Sequence, residues 1–366
     1  MRVPLISERD ASYDILIDRG LLQDLARLVT RHCPARRYAV ISDSHVAELY
    51  GPTVMRVLKD GGLEAELYAF AAGEWNKTRD SWASVSDRML EAQLGRDGAV
   101  LALGGGVVGD VAGFVAATYY RGIPFVQLPT TLLAMIDSSI GGKTGVDTPR
   151  GKNLLGAFHQ PRVVIADLDT LGTLPAPQLA AGMAEAIKHG VIADADYYAS
   201  LERDRDAVMG KERDPAAVER LVTRSIEIKA AVVAADEREA GRRALLNFGH
   251  TIGHAVEATN GYAILHGEGI AIGMALEAAL GERVGITERG TAASIVHLLE
   301  RFDLPVALSG EAPVDDLVAA MRHDKKRRGT DLRFALPRRI GEMCGDTRNG
   351  WTTAISEDIV REVLGQ

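Results

Sequence analysis

The chain has 366 residues, 46% hydrophobic and 25% charged, with a formal net charge of −8, which is enough for two domains whose cores need no covalent staples. Cys33 and Cys344 lie at opposite ends, which excludes a disulfide framework and a cysteine-based zinc site. The acidic balance argues against a nucleic-acid surface. With no secretory-type start and no run approaching the roughly 18 apolar residues of a membrane span, a soluble cytoplasmic protein is expected, with neither nucleic acid nor membrane as partner.

In the first half, strand-length apolar runs occupy 38–43, 67–70, 99–103, 125–128 and 162–166, with helical patterns between them, as at 78–92. That alternation predicts an α/β domain with a mainly parallel sheet. Ligands of such sheets bind at the carboxyl ends of the strands. Asp43 closes one run and Gly104 directly follows another, so both belong on that edge. After about Thr173 the texture becomes Ala-, Leu-, Glu- and Arg-rich with 3.6-residue periodicity and almost no strand signal. Helices are expected near 178–192, 214–236, 250–259, 267–284, 290–301 and 313–323, hence an all-α second domain. Leu174-Pro175-Ala176-Pro177 marks the boundary, giving domains of 1–173 and 174–366. There is no internal repeat and no low-complexity linker.

The densest signal is a pair of glycine-rich loops, Gly104-Gly105-Gly106-Val107-Val108-Gly109-Asp110 and Ser138-Ser139-Ile140-Gly141-Gly142-Lys143-Thr144, followed by Gly151-Lys152-Asn153. Bare backbone amides and cations suit a phosphorylated ligand. The first loop follows a strand and opens a helix, yet matches neither G-x-G-x-x-G nor a Walker A loop, so alone it fits a dinucleotide site or a tight turn. Gly73-Glu74-Trp75-Asn76-Lys77 alone reads as a helix entry. Further on, Arg243, Asn247, His250 and His254 are spaced four, three and four apart and share one face if the segment is helical throughout. Two histidines at i and i+4 either share a metal or fall so by chance; His266 offers a third imidazole. Glu185 and Lys188 at i and i+3 form a surface ion pair or supply a carboxylate to that metal. The remaining histidines, His189 among them, read as surface or structural, and Lys325-Lys326-Arg327-Arg328 alone as a solvated turn.

In this order, with Pro129-Thr130-Thr131-Leu132-Leu133, Asp137-Ser138-Ser139, Glu-x-x-Lys at 185–188 and Gly-His-Thr-x-Gly-His at 249–254, these motifs resemble the 3-dehydroquinate synthase family of the sugar phosphate cyclase superfamily. The resemblance covers most of the chain. It implies a Rossmann-like α/β N-terminal domain binding NAD and an all-α C-terminal domain binding metal and substrate. The implied activity converts 3-deoxy-D-arabino-heptulosonate 7-phosphate into 3-dehydroquinate and phosphate in the shikimate pathway. NAD oxidises a substrate alcohol transiently, phosphate is eliminated, the hydride returns, and an intramolecular aldol step closes the ring. The implied cofactors are NAD and a divalent ion, zinc or cobalt.

Carried over by position, the metal ligands are Glu185, His250 and His266. The NAD contacts are Asp43, Glu74 and Lys77, then Gly105, Gly106, Val107 and Asp110 at the pyrophosphate, then Thr130, Thr131, Asp137, Lys152, Thr173 and Leu174. Substrate contacts are Lys143, Asn153, Lys188, Lys229, Arg243, Asn247 and Lys325, with Lys326 the alternative to Lys325, while His254 serves phosphate and proton transfer. Arg121 reaches the site of a partner in a homodimer. Two positions depart from the family pattern: Pro177-Gln178 stands where Arg-Glu is common, and Asp147 where many members have Asn. Rival readings are a sibling cyclase for an anionic sugar phosphate lacking the carboxylate, a metal-dependent polyol or glycerol-phosphate dehydrogenase, and an inactive nucleotide-binding protein. Lys229, Arg243 and Asn247 argue against the first, and the Gly-Gly-Lys-Thr and Gly-Lys-Asn loops against the second.

Overall fold

A computed structural model of the chain describes residues 10–149, 151–239, 241–308, 313–324, 332–346 and 350–365. They fall into two units, Met1–Pro129 with Gly142–Asp167, and Thr130–Gly141 with Leu168–Gln366. The first contains, in chain order, β1 (Asp14–Asp18), α1 (Leu25–His32), β2 (Arg37–Asp43), α2 (Ser44–Asp60), β3 (Glu64–Phe70), α3 (Arg79–Glu91), β4 (Ala99–Gly104), α4 (Gly106–Thr118), β5 (Phe125–Pro129), β6 (Lys143–Thr148), β7 (Gly151–Phe158) and β8 (Val163–Asp167). Six strands form one sheet in the order β1-β8-β5-β4-β2-β3, and every pairing in it is parallel. Strands β4, β5 and β8 are buried along their whole length, as expected of a parallel sheet covered on both faces. The chain runs outward from β2 to β3, then crosses back to β4 on the other side of β2. The ends of β2 and β4 therefore flank a topological switch point, where such sheets take ligands.

Two features of this unit differ from the expectation. β1 was not anticipated, because its five residues carry a charge at each end. The loops around Lys143 and Gly151-Lys152-Asn153 are strands: β6 and β7 form a separate antiparallel hairpin in which Gly145 faces Gly156. The two backbones meet so closely there that a Cβ on Gly145 would lie 2.6 Å from the Leu155 carbonyl. Glycine marks close approach of strands here, and not a loop.

The second unit contains α5 (Ala176–Ala193), α6 (Ala195–Arg203), α7 (Arg205–Met209), α8 (Pro215–Ala235), α9 (His250–Thr259), α10 (His266–Arg283), α11 (Thr291–Arg301), α12 (Val314–Asp324) and α13 (Glu357–Leu364). Into this helical unit are set two small antiparallel ladders, Leu332–Phe334 with Thr353–Ile355 and Pro337–Arg339 with Glu342–Met343. These strands of two or three residues are too short to show alternation, which is why the sequence reads as purely helical there. Segment 243–254 is not one helix: Arg242–Asn247 is a 3₁₀ turn, and Gly249 (φ +80°) breaks the chain before α9. The shared face expected for Arg243, Asn247, His250 and His254 therefore does not exist as a helical stripe. No described helix is long and apolar enough to cross a membrane.

Candidate active site

The histidines are brought together by the crossing of α9 and α10. Gly249 and Gly253 on one side, and Gly269 and Gly273 on the other, are each four residues apart, so each pair lies along one helix face. A Cβ on Gly253 would sit 2.8 Å from the Gly269 carbonyl, and one on Gly273 would overlap the Gly249 carbonyl outright. Backbone therefore touches backbone at this seam. A Cβ on Gly267 would likewise overlap the Ala181 carbonyl, so the first turn of α10 abuts α5. His250 and His266, each the first residue of its helix, end with ring centroids 5.5 Å apart. Glu185, one turn beyond Ala181, faces both.

The Nε2 atoms of His250 and His266 lie 3.7 and 3.5 Å from Glu185 Oε1, and donor atoms of the three residues all fall within 4.8 Å of one another. A tetrahedral ion with bonds of about 2.1 Å has ligand–ligand edges of about 3.4 Å. The trio therefore fits one ion. Glu185 is completely buried and neither of its oxygens has a hydrogen-bond partner of ordinary geometry, although the Lys188 ammonium presses against one of them. Burial would push its carboxyl up, but Lys188 outweighs burial and holds Glu185 well below the usual carboxylate range. Burial, reinforced by Lys188, keeps His250 well below the usual imidazole value and therefore neutral, as a metal ligand must be. Burial pulls His266 the same way, but Glu257, whose Oε1 lies 2.6 Å from Nδ1, raises it to about 10. Glu257 escaped the sequence reading; its only signal is the spacing of seven from His250, two turns along the same helix face. His254 lies beside the pair, 5.1 Å from His250 and 6.0 Å from His266 between ring centroids.

Among the described residues, three cations are buried in the same unit. Lys188 (1% exposed), Lys229 (6%) and Arg243 (2%) would be costly without anions or polar partners. Lys229 Nζ is 2.5 Å and Lys188 Nζ 3.8 Å from Asp137 Oδ1. Burial opposes ionisation of Asp137, but these two ammonium groups override it and keep the carboxyl charged. Asp137, Glu185 and His189 could also surround an ion, but Lys188 and Lys229 already supply positive charge there. His189, read as surface or structural, is completely buried; its Nδ1 meets Ser225 Oγ at 2.8 Å and its Nε2 stands 3.6 Å from Asp137. Arg243 is laid on Gly141, both Nη groups donating to that carbonyl at 3.3 to 3.4 Å, while its Nε has no hydrogen-bond partner among the described residues. Asn247 Nδ2 donates to Glu239 at 2.7 Å. Thr130, Thr131, Thr173 and Leu174 also belong to this unit. Lys325 and Lys326 lie outside the described residues.

In the first unit, Asp43 ends β2 and caps α2 by accepting the N–H groups of His45 and Val46. Gly105, Gly106 and Val107 form the start of α4 immediately after β4, where amides and the positive end of the helix dipole favour an anion. Lys77 is buried and paired with Asp110 at 2.5 Å; burial alone would lower it, but Asp110 and Glu74 lift it to about 12. Lys152 Nζ lies 3.2 Å from Glu74. Asp147 completes this cluster: its N–H donates to the Lys77 carbonyl at 2.7 Å, and its Oδ1 accepts the Asn153 N–H at 2.8 Å. Asn153 and Arg121 adopt left-handed backbone (φ +55° and +66°), and Lys143 opens β6.

Comparison with known proteins points one way. The 3-dehydroquinate synthase of Symbiobacterium thermophilum is 49% identical over 333 residues, spanning 90% of this chain and 92% of its own. A 2-deoxy-scyllo-inosose synthase solved with carbaglucose-6-phosphate, NAD+ and Co2+ superposes with a TM-score of 0.88 at 27% identity, over 96% of each chain. The 2-epi-5-epi-valiolone synthase of Streptomyces hygroscopicus subsp. jinggangensis, with NAD+ and Zn2+ bound, gives 0.88 at 29% identity over 100% of this chain and 98% of its own. The 3-dehydroquinate synthase N-terminal and C-terminal family models match residues 67–181 and 182–327, end to end, and cover both the glycine turn after β4 and the histidine crossing: the chain belongs to the 3-dehydroquinate synthase family.

Proposed function

We propose that this chain converts 3-deoxy-D-arabino-heptulosonate 7-phosphate into 3-dehydroquinate and phosphate, with NAD and a divalent ion, zinc or cobalt, as cofactors. The observation that carries the reading is the trio Glu185, His250 and His266, its carboxylate fully buried and its imidazoles partly open, spaced for one ion in the unit that also buries Lys188, Lys229 and Arg243. When bound, NAD would take and return a hydride, and the ion would polarise the substrate's alcohol oxygen as a Lewis acid.

The chain's own residues supply the rest. Lys188 and Lys229 are desolvated ammonium groups that bind anionic oxygens as point charges. Arg243 presents a planar fork suited to the substrate carboxylate. Asn247 joins Lys229 and Arg243 on the carboxylate side, His254 attends the phosphate and proton-transfer side, and Lys143, Asn153 and Lys325 complete the substrate contacts. Gly105, Gly106 and Val107 offer amides to the NAD pyrophosphate, with Asp110 beside them, Asp43, Glu74 and Lys77 around the adenosine, and Thr130, Thr131, Asp137, Lys152, Thr173 and Leu174 toward the nicotinamide. On this reading most NAD contacts come from residues 1–173 and the metal ligands and most substrate contacts from residues 174–366. Formation of a homodimer, with Arg121 serving the partner's site, is supported by exposed apolar side chains on β7, Leu154, Leu155 and Phe158, and by the exposed Tyr120 beside Arg121. A cytoplasmic setting agrees with two free cysteines.

The test is to incubate the protein with NAD, zinc and the heptulosonate phosphate while following phosphate release and NADH absorbance together. Phosphate should appear without accumulating NADH; stoichiometric NADH would overturn the cyclase reading. In His250→Ala and His266→Ala, bound zinc should fall sharply, and unchanged zinc in both would remove the metal assignment.

A further inference from the structure

The glycine seam creates a difficulty at the start of α9. The first backbone N–H groups of a helix lack partners, and a Ser, Thr, Asp or Asn side chain ordinarily caps them. Here the capping position is Gly249, which has no side chain. None could replace it: its φ is +80°, and a Cβ would lie 2.6 Å from Met274 Cγ and 3.0 Å from the Ile270 carbonyl. The close crossing that joins the histidines thus removes the local cap.

Glu277 supplies one from the other helix. It lies one turn beyond Gly273, continuing the row 269, 273, 277 along α10, and it is completely buried. Its Oε2 accepts the Gly249 N–H at 2.8 Å and its Oε1 the Ile252 N–H at 3.0 Å, so both oxygens bracket His250. The Gly249 N–H belongs to the same peptide group as the Phe248 carbonyl, which meets His250 Nδ1 at 3.1 Å. In a trans peptide these two groups point in opposite directions. The carboxylate therefore grips one end of a peptide whose other end grips the imidazole.

We propose that Glu277 is a positioning residue for the metal ligand His250, acting through the Phe248–Gly249 peptide as a carboxylate–peptide–imidazole relay. A hydrogen-bonded carboxylate polarises the peptide and strengthens its carbonyl as an acceptor. That carbonyl holds the proton on His250 Nδ1 and leaves Nε2 for the ion. The relay does for His250 what the direct carboxylate of Glu257 does for His266. It rests on the reading of Glu185, His250 and His266 as metal ligands.

The experiment compares Glu277→Gln with the unaltered protein, measuring zinc affinity by chelator competition, kcat and KM separately, and melting temperature. Glu277→Gln should weaken zinc binding about tenfold or more and lower kcat, with the substrate KM within twofold. A control that only loosens the core, Val360→Ala, should lower the melting temperature with zinc affinity unchanged. Zinc affinity within twofold of the unaltered protein in folded Glu277→Gln would overturn the proposal. A measurement without mutation stands beside it: ¹⁵N NMR of histidine-labelled, zinc-loaded enzyme should show His250 protonated at Nδ1, and protonation at Nε2 would overturn the relay. His250→Ala in the same chelator assay separates the two ideas. Zinc retained there removes the ligand trio; zinc lost there but held at full affinity in Glu277→Gln removes only the relay.

Discussion

The two units hold their charges differently. In the first, Lys77 is as deeply buried as the cations of the second, but Glu74, Asp110, Asp147 and Lys152 around it come from a turn, the first turns of α4 and the hairpin strands, and Glu74 and Lys152 remain partly open to solvent. In the second, Glu185, Lys188, Lys229 and Arg243 are all buried to within 6%, and Glu185 and the histidines it faces are held by helices that meet on glycine. A strand end fixes a residue locally, so a change there is felt locally. A helix crossing fixes residues far apart in the chain, so one added methyl group there displaces several at once.

Gly273→Ala is the sharpest way to break this contrast, since its Cβ would overlap the Gly249 carbonyl with no flexible side chain to yield. We expect loss of bound zinc and of measurable turnover, or no soluble protein at all. Gly105→Ala at the start of α4, where φ is −76° and any residue is allowed, should leave folding intact and act on NAD alone. Equal zinc content in Gly273→Ala and the unaltered protein would show that the seam does not govern the metal trio.

The same contrast explains what could be read beforehand. The parallel sheet, its edge and most helices of the second half announce themselves as local periodicity, and the glycine turn after β4 as a local motif. What escaped depends on distant contacts. Thr130–Gly141 packs with the second unit although it lies in sequence inside the first, and no composition change marks it. Glu257 and Glu277 look like ordinary charges on helices, yet Glu257 meets a histidine of the adjoining helix and Glu277 accepts the backbone N–H groups of Gly249 and Ile252 around another. His189 has no ligand-like spacing, and only folding sets it against Ser225 and Asp137. That Glu185, His250 and His266 converge was legible through the family motifs; spacing alone left the histidine pair open.

Arg243 tests how far burial amplifies a charge. Removing a desolvated partner of a charged group costs about 2 to 5 kcal/mol, so Arg243→Ala should lower kcat/KM by about thirtyfold to several thousandfold. Arg243→Lys should recover little, because a point charge cannot reproduce the fork. A change below about twofold would rule out Arg243 as the carboxylate anchor.

The metal trio should also make zinc binding depend on pH. In the metal-free protein Glu257 holds His266 protonated up to about 10, and an ion must displace that proton. Zinc affinity should therefore rise about tenfold per pH unit from pH 7 toward 10, with close to one proton released per ion at pH 8. For folding of the metal-free protein the sign is opposite. The His266 value is raised above the ordinary value of about 6.5, so its stabilising contribution is complete below that and disappears as pH rises through about 10. Calorimetry in buffers of different ionisation enthalpy measures the released proton; zinc affinity flat from pH 7 to 9 would show that His266 binds the ion without first losing one.

The smallest effect belongs to the first unit, at Asp147, where the family pattern leads one to expect Asn. Burial raises the Asp147 carboxyl, against the opposing pull of Lys77, the Asn153 N–H and Lys152, and Glu74 adds a like charge. The same cluster holds Asp110 beside the proposed pyrophosphate site, so an ionised Asp147 repels the dinucleotide as well as its neighbours. Asp147→Asn keeps an oxygen that can accept the Asn153 N–H and removes only the charge. The KM for NAD should fall about two- to threefold, the scale of a partly screened charge pair. Because the raised carboxyl gains its proton earlier than an ordinary aspartate as pH falls, the advantage of the variant should shrink on acidification toward the carboxylate range. An increase in KM would mean that the negative charge of Asp147 serves this site by keeping Lys77 and Lys152 in place, and would bring the first unit closer to the second in its dependence on buried charge.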